Sequence, residues 1–230
     1  MGRAADPGGV AQARLPRLQF HHQAGAASRR AATVASSRRP DLAGVPARAI
    51  ESCRRTDFFV VHSAMLGILY ALVFIDIKSR RVIHSACTEH PDSAWVCQQA
   101  TNTCMKLQDL NLGVGALIHD RDSKFTSQFD DVFQAEGARV AMTPYRCPRA
   151  NGIAERLIKT TRRECLDHLI IVSERHLSHV LIEFYDHYNR SRPHRSLGLR
   201  PPHPATACNT GKIVRLDRLG GIVKEFARAA

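Results

Sequence analysis

The chain has 230 residues, of which 44% are hydrophobic and 23% are charged, a composition that supports a buried core and excludes a wholly disordered protein. Its 33 lysines and arginines outnumber the 21 acidic residues, and the formal net charge of +12 favours a polyanionic partner such as nucleic acid. The longest apolar run, residues 64–75, is well short of the roughly 20 residues that a membrane helix needs, so we expect no membrane partner.

Residues 1–55 differ from the rest of the chain. They are rich in Ala, Arg, Gly, Pro and Ser, and they hold ten arginines against three acidic residues. Neither a helical or strand period nor the apolar centre of a secretory signal occurs there, so we predict a flexible basic arm. The Arg-rich, acid-poor composition leaves a mitochondrial transit peptide as an alternative.

From residue 56 onward the pattern is that of a folded domain. Three consecutive strands followed by alternating helix and strand predict an α/β fold, in which helices cover a mixed sheet. The first helix should begin after an N-cap at Asp92 or Ser93, the next-to-last after Asn151-Gly152, and the last after an N-cap at Ser173. In chain order we predict strands at 58–61, 69–77 and 81–87, a helix that ends at about residue 107, a strand at 114–119, a turn and a helix over 123–136, a strand at 139–142, helices over 152–170 and 174–189, and a hairpin of 213–216 with 222–226.

The seven cysteines are scattered, odd in number and without a Cys-x-x-Cys pair. This usage is typical of a reducing compartment and predicts neither a disulfide framework nor a zinc site.

Three carboxylates lie at sequence positions that the predicted fold could bring together. Asp57 opens the first strand, Asp120 follows the fourth strand, and Glu155 is expected in the first turn of its helix. Strand ends and the start of a packed helix can share one edge of a sheet, and converging carboxylates bind Mg²⁺. A pair of such ions can drive phosphodiester displacement. Taken singly, Asp57 also fits a surface residue, and Glu155 fits a favourable charge near a helix N-terminus.

Basic residues accompany Glu155 on its helix. Lys159 and Arg162 lie four and seven residues further on, so they share its face, and Arg163 lies alongside. A phosphate backbone would need such a row next to a metal site. The alternative is a Glu–Lys pair on a solvated helix face.

The sequences around these acids resemble those of DDE integrases and transposases, in particular the transposases of bacterial insertion sequences. The 34 residues that separate Asp120 from Glu155, numbers 121–154, agree with the usual spacing of that family. The matching motifs are Thr56-Asp57-Phe58-Phe59, Ile75-Asp76-Ile77-Lys78-Ser79-Arg80, His119-Asp120-Arg121-Asp122-Ser123-Lys124-Phe125-Thr126, Pro148-Arg149-Ala150-Asn151-Gly152-Ile153-Ala154-Glu155-Arg156, and the tail Tyr188-Asn189-Arg190-Ser191-Arg192-Pro193-His194-Arg195-Ser196-Leu197-Gly198 with Pro201-Pro202.

The resemblance implies a ribonuclease-H-like fold with a mixed five-stranded sheet, and metal-dependent cleavage and joining of DNA strands. Asp57, Asp120 and Glu155 would be the catalytic and metal-binding residues, holding two Mg²⁺ or Mn²⁺ ions. The residues implied for DNA binding are Arg149, Asn151, Lys159, Arg162 and Arg163. The partners would be element ends and target DNA, bound by a homo-oligomer in the bacterial cytoplasm, at the nucleoid.

We therefore predict three parts: the arm over residues 1–55, an integrase-type catalytic core over residues 56–205, and a tail over residues 206–230 with a small hairpin. Asp76 is an alternative first carboxylate, although its motif resembles the family's strand turn, and Asp122 is expected to shape its own turn. The arm lacks the helix-turn-helix pattern of full-length relatives, so the alternative function is a truncated, catalytically silent DNA-binding remnant. A structure-selective nuclease on the same fold is a third reading.

Overall fold

The computed structural model describes residues 53–143, 148–204 and 211–228, with the backbone alone for residues 148–151. Nearly all of the predicted basic arm therefore lies outside the described residues. No helix among the described residues is long and apolar enough to cross a membrane.

Five strands form one mixed sheet in the order β3-β2-β1-β4-β5. The first three strands are antiparallel neighbours, whereas β4 runs parallel to both β1 and β5. The sheet confirms the predicted mixed five-stranded architecture, but its first strand begins inside the segment predicted as the arm. The strands are β1 (Cys53–His62), β2 (Ile68–Asp76), β3 (Val82–Thr88), β4 (Ala116–His119) and β5 (Arg139–Met142).

In the described part of the chain, four α-helices cover the two faces of the sheet, and their bounds are α1 (Ser93–Asp109), α2 (Ser127–Ala135), α3 (Pro148–Glu164) and α4 (Glu174–Arg190). Helices α1 and α2 share one core with one face of the sheet, and α3 and α4 share a second core with the other face. The side chain of Asp92 accepts a hydrogen bond from the amide of Trp95 at 2.7 Å, and Ser173 caps α4 in the same way through His176. Both caps are among those that the sequence predicts.

Each core is built from the alternate residues of the central strands. Strand β1 sends Phe59 and Val61 to the α3–α4 side, while Phe58 packs on the α1–α2 side. Buried aromatic residues dominate the α1–α2 core, where the rings of Phe129 and Phe133 meet edge to face at 5.2 Å. Because the side-chain period of a strand is two, the two cores fix which residues of β1 face α3.

Helix α3 differs from the predicted span of 152–170. It begins at Pro148, whose fixed φ suits the first turn of a helix, so Glu155 lies in the second turn and not in the first. It ends at Glu164, and the chain then tightens into a 3₁₀ turn over Leu166–His168. The His168 ring nitrogen Nε2 lies 2.9 Å from the carbonyl oxygen of Arg163 and satisfies one of the last carbonyls of the helix.

The C-terminal hairpin consists of β6 (Ile213–Arg218) and β7 (Val223–Arg228), joined by a 3₁₀ turn over Leu219–Gly221. Val223 is buried in the α3–α4 core. The guanidinium of Arg218 pairs with Glu183 and Asp186 of α4, both at 3.0 Å. These ion pairs hold the hairpin on α4.

Asn189, in the motif over residues 188–202, bonds to the edge strand β3 of the sheet. The Asn189 side chain accepts a hydrogen bond from the Val82 amide and donates one to the Val82 carbonyl, both at 2.9 Å. The backbone carbonyl of Asn189 in turn accepts from the amide of His203 at 2.8 Å. Asn189 therefore occupies both backbone hydrogen-bonding groups of Val82, which edge strand β3 would otherwise offer to another strand at that residue.

Replacing Asn189 by Ala should lower the free energy of unfolding by about 2 kcal/mol, because both Val82 groups lose their partner near the protein interior. For a chain of this size the midpoint of thermal unfolding should fall by about 4–8 °C. Asn102→Ala is the matched control, since that side chain bonds only to neighbouring residues of α1. Equal losses for the two variants would contradict the role given to Asn189.

Candidate active site

The parallel register of β1 and β4 brings the first two predicted acids to one level of the sheet. Arg54 pairs with Leu117, and Arg55 pairs with Ile118. Continued by two residues, this register sets Asp57 beside Asp120. Adjacent strands lie about 4.8 Å apart, so these two carboxylates occupy neighbouring positions at the end of β4.

Asp57 points to the sheet face that carries α3. It shares the alternation of Phe59 and Val61, which are buried against α3 and α4. Only 6% of Asp57 is exposed, and its Oδ1 accepts a hydrogen bond from the amide of Phe58 at 2.9 Å. The first predicted acid is therefore an inward-facing residue of β1 and not a surface residue at a strand start.

Asp120 sits in a turn that a buried histidine holds. Its Oδ1 accepts a hydrogen bond from the amide of Asp122 at 3.1 Å, and its carbonyl oxygen lies 2.6 Å from Nδ1 of His119. The other ring nitrogen of His119 lies 3.0 Å from Asp130 on α2, and the ring packs between Phe125 and Phe129. His119 thus connects the backbone of Asp120 to the α1–α2 core.

Glu155 is exposed on α3, the helix that covers this face of the sheet. The Arg162 guanidinium ties α3 to β1, since its Nη2 donates to the carbonyl oxygen of Val60 at 2.6 Å and it lies 5.8 Å from the centre of the Phe59 ring. Lys159 and Arg163 are exposed. A DNA contact by Arg162 stays a prediction, and the structure adds a packing role for that residue.

The side chains of Arg149 and Asn151 lie outside the described residues, although the backbone of both belongs to α3. Their predicted DNA contacts therefore stay predictions.

A buried arginine, Arg55, lies on the same face of β1 as Asp57. Arg55 is 0% exposed, and its Nη2 donates to Oγ1 of Thr143 at 2.8 Å. Burial lowers the pKa of Arg55, and the negative charges of Asp57, Asp120 and Glu155 act in the opposite direction. By its composition Arg55 belongs to the predicted basic arm, although an arginine two residues before an inward-facing aspartate shares its face of the strand.

The donor set suits a hard divalent cation, because all three acids offer carboxylate oxygens. Within residues 53–143, 148–204 and 211–228, no group of three or more His, Cys, Asp or Glu side chains is arranged to hold a metal ion.

The two remaining acids of the motifs shape turns. Oδ1 of Asp76 accepts hydrogen bonds from the amide and the hydroxyl of Ser79, both at 2.7 Å. Oδ1 of Asp122 accepts from the amide of Lys124 at 3.0 Å. Both carboxylates therefore stabilise turns, as their motifs predict.

Comparison with known proteins finds the same resemblance as the sequence motifs. Residues 136–202 match the family model described as Integrase core domain. The putative transposase InsD for insertion element IS2E of Escherichia coli (strain K12) is 36% identical over 70 residues, which are 29% of this chain and 32% of that protein. The matched stretch therefore spans about a third of the length of this curated relative.

Solved structures share the fold. The catalytic domain of Mos1 mariner transposase aligns with a TM-score of 0.51 at 15% identity, covering 60% of this chain and 71% of that one. A second structure of the Mos1 catalytic domain, with Raltegravir and Mg, has a TM-score of 0.50 at 15% identity over 60% and 72% of the two chains. A chain of the simian T-cell lymphotropic virus intasome in complex with PP2A regulatory subunit B56 gamma has a TM-score of 0.51 at 12% identity, over 78% and 67%. The predicted ribonuclease-H-like fold and the resemblance to integrase and transposase cores are confirmed.

Thr143→Val should lower the free energy of unfolding by about 2 kcal/mol, because it removes the hydroxyl that accepts a hydrogen bond from the buried guanidinium of Arg55. That hydroxyl accepts from Arg55 and donates to the carbonyl oxygen of His119 at 3.0 Å. Thr103→Val is the control, because the Thr103 hydroxyl makes a single bond, to the carbonyl of Gln99 within α1. Denaturant titration of both variants measures the difference, and a larger loss for Thr103→Val would contradict the account.

Proposed function

We propose that this chain is the catalytic part of an insertion-sequence transposase, a polynucleotidyl transferase that cleaves DNA strands and joins them to a target. The observation that carries the proposal is the β1–β4 register, which, continued by two residues, sets the buried Asp57 level with Asp120 at the end of β4. The integrase-core match supports it, since residues 136–202 include Glu155.

The proposed reaction consists of two phosphodiester exchanges. Water first cleaves a strand at the end of the element and frees a 3′-hydroxyl. That hydroxyl then attacks a phosphodiester of the target DNA, so one bond forms as another breaks.

We further propose that Asp57, Asp120 and Glu155 bind divalent metal, two ions of Mg²⁺ or Mn²⁺. The carboxylate donor set supports this, and the related Mos1 catalytic domain was solved with Mg. When bound, such ions activate the attacking oxygen and stabilise the leaving oxygen. The residues of the chain orient the acids: His119 holds the turn of Asp120, and Arg162 holds α3 on β1.

DNA is the proposed partner, and its contact surface is the outer face of α3. Lys159 and Arg163 are exposed there, and their charges suit a phosphate backbone. Arg149 and Asn151, near the beginning of α3 in the sequence, are proposed as further DNA contacts. Synapsis of two element ends would bring two copies of the chain together at the bacterial nucleoid.

The proposal is tested by strand transfer with the full chain, Mg²⁺ or Mn²⁺, linear duplexes with randomised ends as donors, and supercoiled plasmid as target. Joined products should require metal. Glu155→Gln should reduce them at least about a hundredfold, because it removes a charge from the site while it keeps the shape of the side chain. Glu89→Gln is the control, since Glu89 is an exposed acid that follows β3.

Sequencing of the junctions measures the products and identifies the ends used. Joined products that persist in Glu155→Gln would contradict the role of that residue. No joining by the unsubstituted chain, together with DNA binding that weakens steeply with salt, would instead favour the catalytically silent remnant.

A further inference from the structure

The C-terminal hairpin has one face against the protein and one face in water. Val223 and Glu225 of β7 are buried, and Arg218, which pairs with Val223 across the hairpin, forms ion pairs with α4. Successive residues of a strand point to opposite faces, so the residues that alternate with these form an outer face. The outer face consists of six exposed residues, Ile213, Arg215, Asp217, Lys224, Phe226 and Arg228.

An aromatic ring lies at the centre of this outer face. Phe226 is 70% exposed, and it pairs across the hairpin with Arg215. Ile213 is its diagonal neighbour on β6 and is 58% exposed. A single exposed apolar side chain is ordinary on a protein surface, but here two adjoin on a hairpin that ion pairs hold on α4. The outer face therefore presents apolar surface from a fixed support.

Cations surround the ring. Lys224 and Arg228 lie on either side of it in β7, and both are exposed. The Nη1 of Arg228 donates a hydrogen bond to the carbonyl oxygen of Gly211 at 3.0 Å. The carboxylate of Asp217 accepts from the Nε of Arg215 at 2.6 Å and from its Nη2 at 2.8 Å. Three cations against one carboxylate leave the outer face with a net positive charge.

We propose that the outer face binds single-stranded DNA, with an unpaired base stacked on Phe226 and the flanking phosphates at Lys224 and Arg228. A ring among cations suits this ligand, because every base has a flat π-face and every nucleotide carries a phosphate. Bases inside a duplex stack on one another, whereas those of a single strand are open to a side chain. The inference extends the proposed function by a DNA contact outside α3, and it does not require that the chain joins DNA.

Charge favours this ligand over a second copy of the chain. The chain has a formal net charge of +12, so a second copy would set the cations of the outer face against a positively charged protein. A DNA strand gains from each cation that it meets, because its phosphates release bound counterions. The outer face therefore matches a polyanion with exposed rings.

The first test measures, by fluorescence anisotropy, the binding of the full chain to labelled oligo(dT) and to a blunt duplex of the same length, with chelator present. Phe226→Ala should weaken oligo(dT) binding at least about fivefold, because the base loses its stacking surface, and should leave duplex binding within about twofold. Phe226→Tyr keeps the ring and should stay within about twofold on both ligands. Met105→Ala is the matched control, since Met105 is an apolar residue of α1 that is 58% exposed.

Three results would overturn the proposal. The first is equal oligo(dT) affinity of Phe226→Ala and the unsubstituted chain, and the second is an equal loss of oligo(dT) and duplex binding. The third is self-association, measured by sedimentation velocity, that Phe226→Ala abolishes while oligo(dT) binding stays unchanged. Because Phe226 is exposed, its substitution should shift the midpoint of thermal unfolding by no more than about 2 °C, which separates a lost contact from a lost fold.

The second test measures the phosphate contacts. The logarithm of the binding constant for a single strand falls with the logarithm of the salt concentration, with a slope of about −0.7 for each neutralised phosphate. Lys224→Ala combined with Arg228→Ala should reduce the size of that slope by about 1.4. Arg175→Ala combined with Arg195→Ala removes two exposed cations outside the hairpin and is the control. An unchanged slope for the hairpin pair would overturn the proposal.

Both tests are independent of the proposed catalytic activity. Loss of oligo(dT) binding by Phe226→Ala in a chain that joins no DNA would support the inference and contradict the transposase activity. Normal joining, with oligo(dT) binding that is insensitive to Phe226→Ala, would do the reverse.

Discussion

The short parallel pairing of β1 with β4 is the interaction on which the site depends. It spans three residue pairs, and its continuation sets Asp57 level with Asp120. A slip of one residue would send Asp57 to the opposite face of the sheet. Phe59 and Val61 prevent that slip, because both are buried against α3 and α4 and share the alternation of Asp57. The apolar core thus fixes the position of a polar residue that contributes little to packing itself.

The polar groups around the acids form a framework of their own. His119 links the Asp120 turn to α2, and Arg162 links α3 to β1. Thr143 connects the carbonyl at the end of β4 to the guanidinium of Arg55. Such a framework anchors a turn and a helix to the sheet, so the carboxylates of Asp120 and Glu155 vary less in position than they would on free loops. The net charge around the acids then follows from the sequence of one strand, because Arg55 and Asp57 occupy the same face two residues apart.

Local sequence patterns predicted most of the fold. Apolar patterns predicted the five strands of the sheet, and helical periodicity predicted the four described helices, with the N-caps of α1 and α4. The end of α3 escaped prediction because the apolar spacing of Thr161, Cys165 and Leu169 continues past Glu164, whereas the chain itself tightens into a 3₁₀ turn. The start escaped prediction because Asn151-Gly152 is a typical helix opening, yet Pro148 begins the helix one turn earlier.

The motifs single out Asp57, Asp120 and Glu155, but they do not indicate which side chains surround these acids. Arg55 belongs to a run of basic residues that resembles the arm, and only the pairing of β1 with β4 shows that it is buried beside Asp57. Arg162 has the spacing of a DNA-binding residue, and only the packing of α3 shows its contact with Val60. Both contacts join residues that lie far apart in the sequence. The periodicity of a single segment carries no information about such contacts.

The most direct test of the central claim is a titration of the ¹⁵N-labelled full chain with Mn²⁺, followed by the broadening of backbone amide resonances. If Asp57, Asp120 and Glu155 form one metal site, the amides flanking these three residues should broaden first and together, while those of the β6–β7 hairpin stay sharp. Broadening confined to one of the three acids, or strongest elsewhere in the chain, would contradict the account.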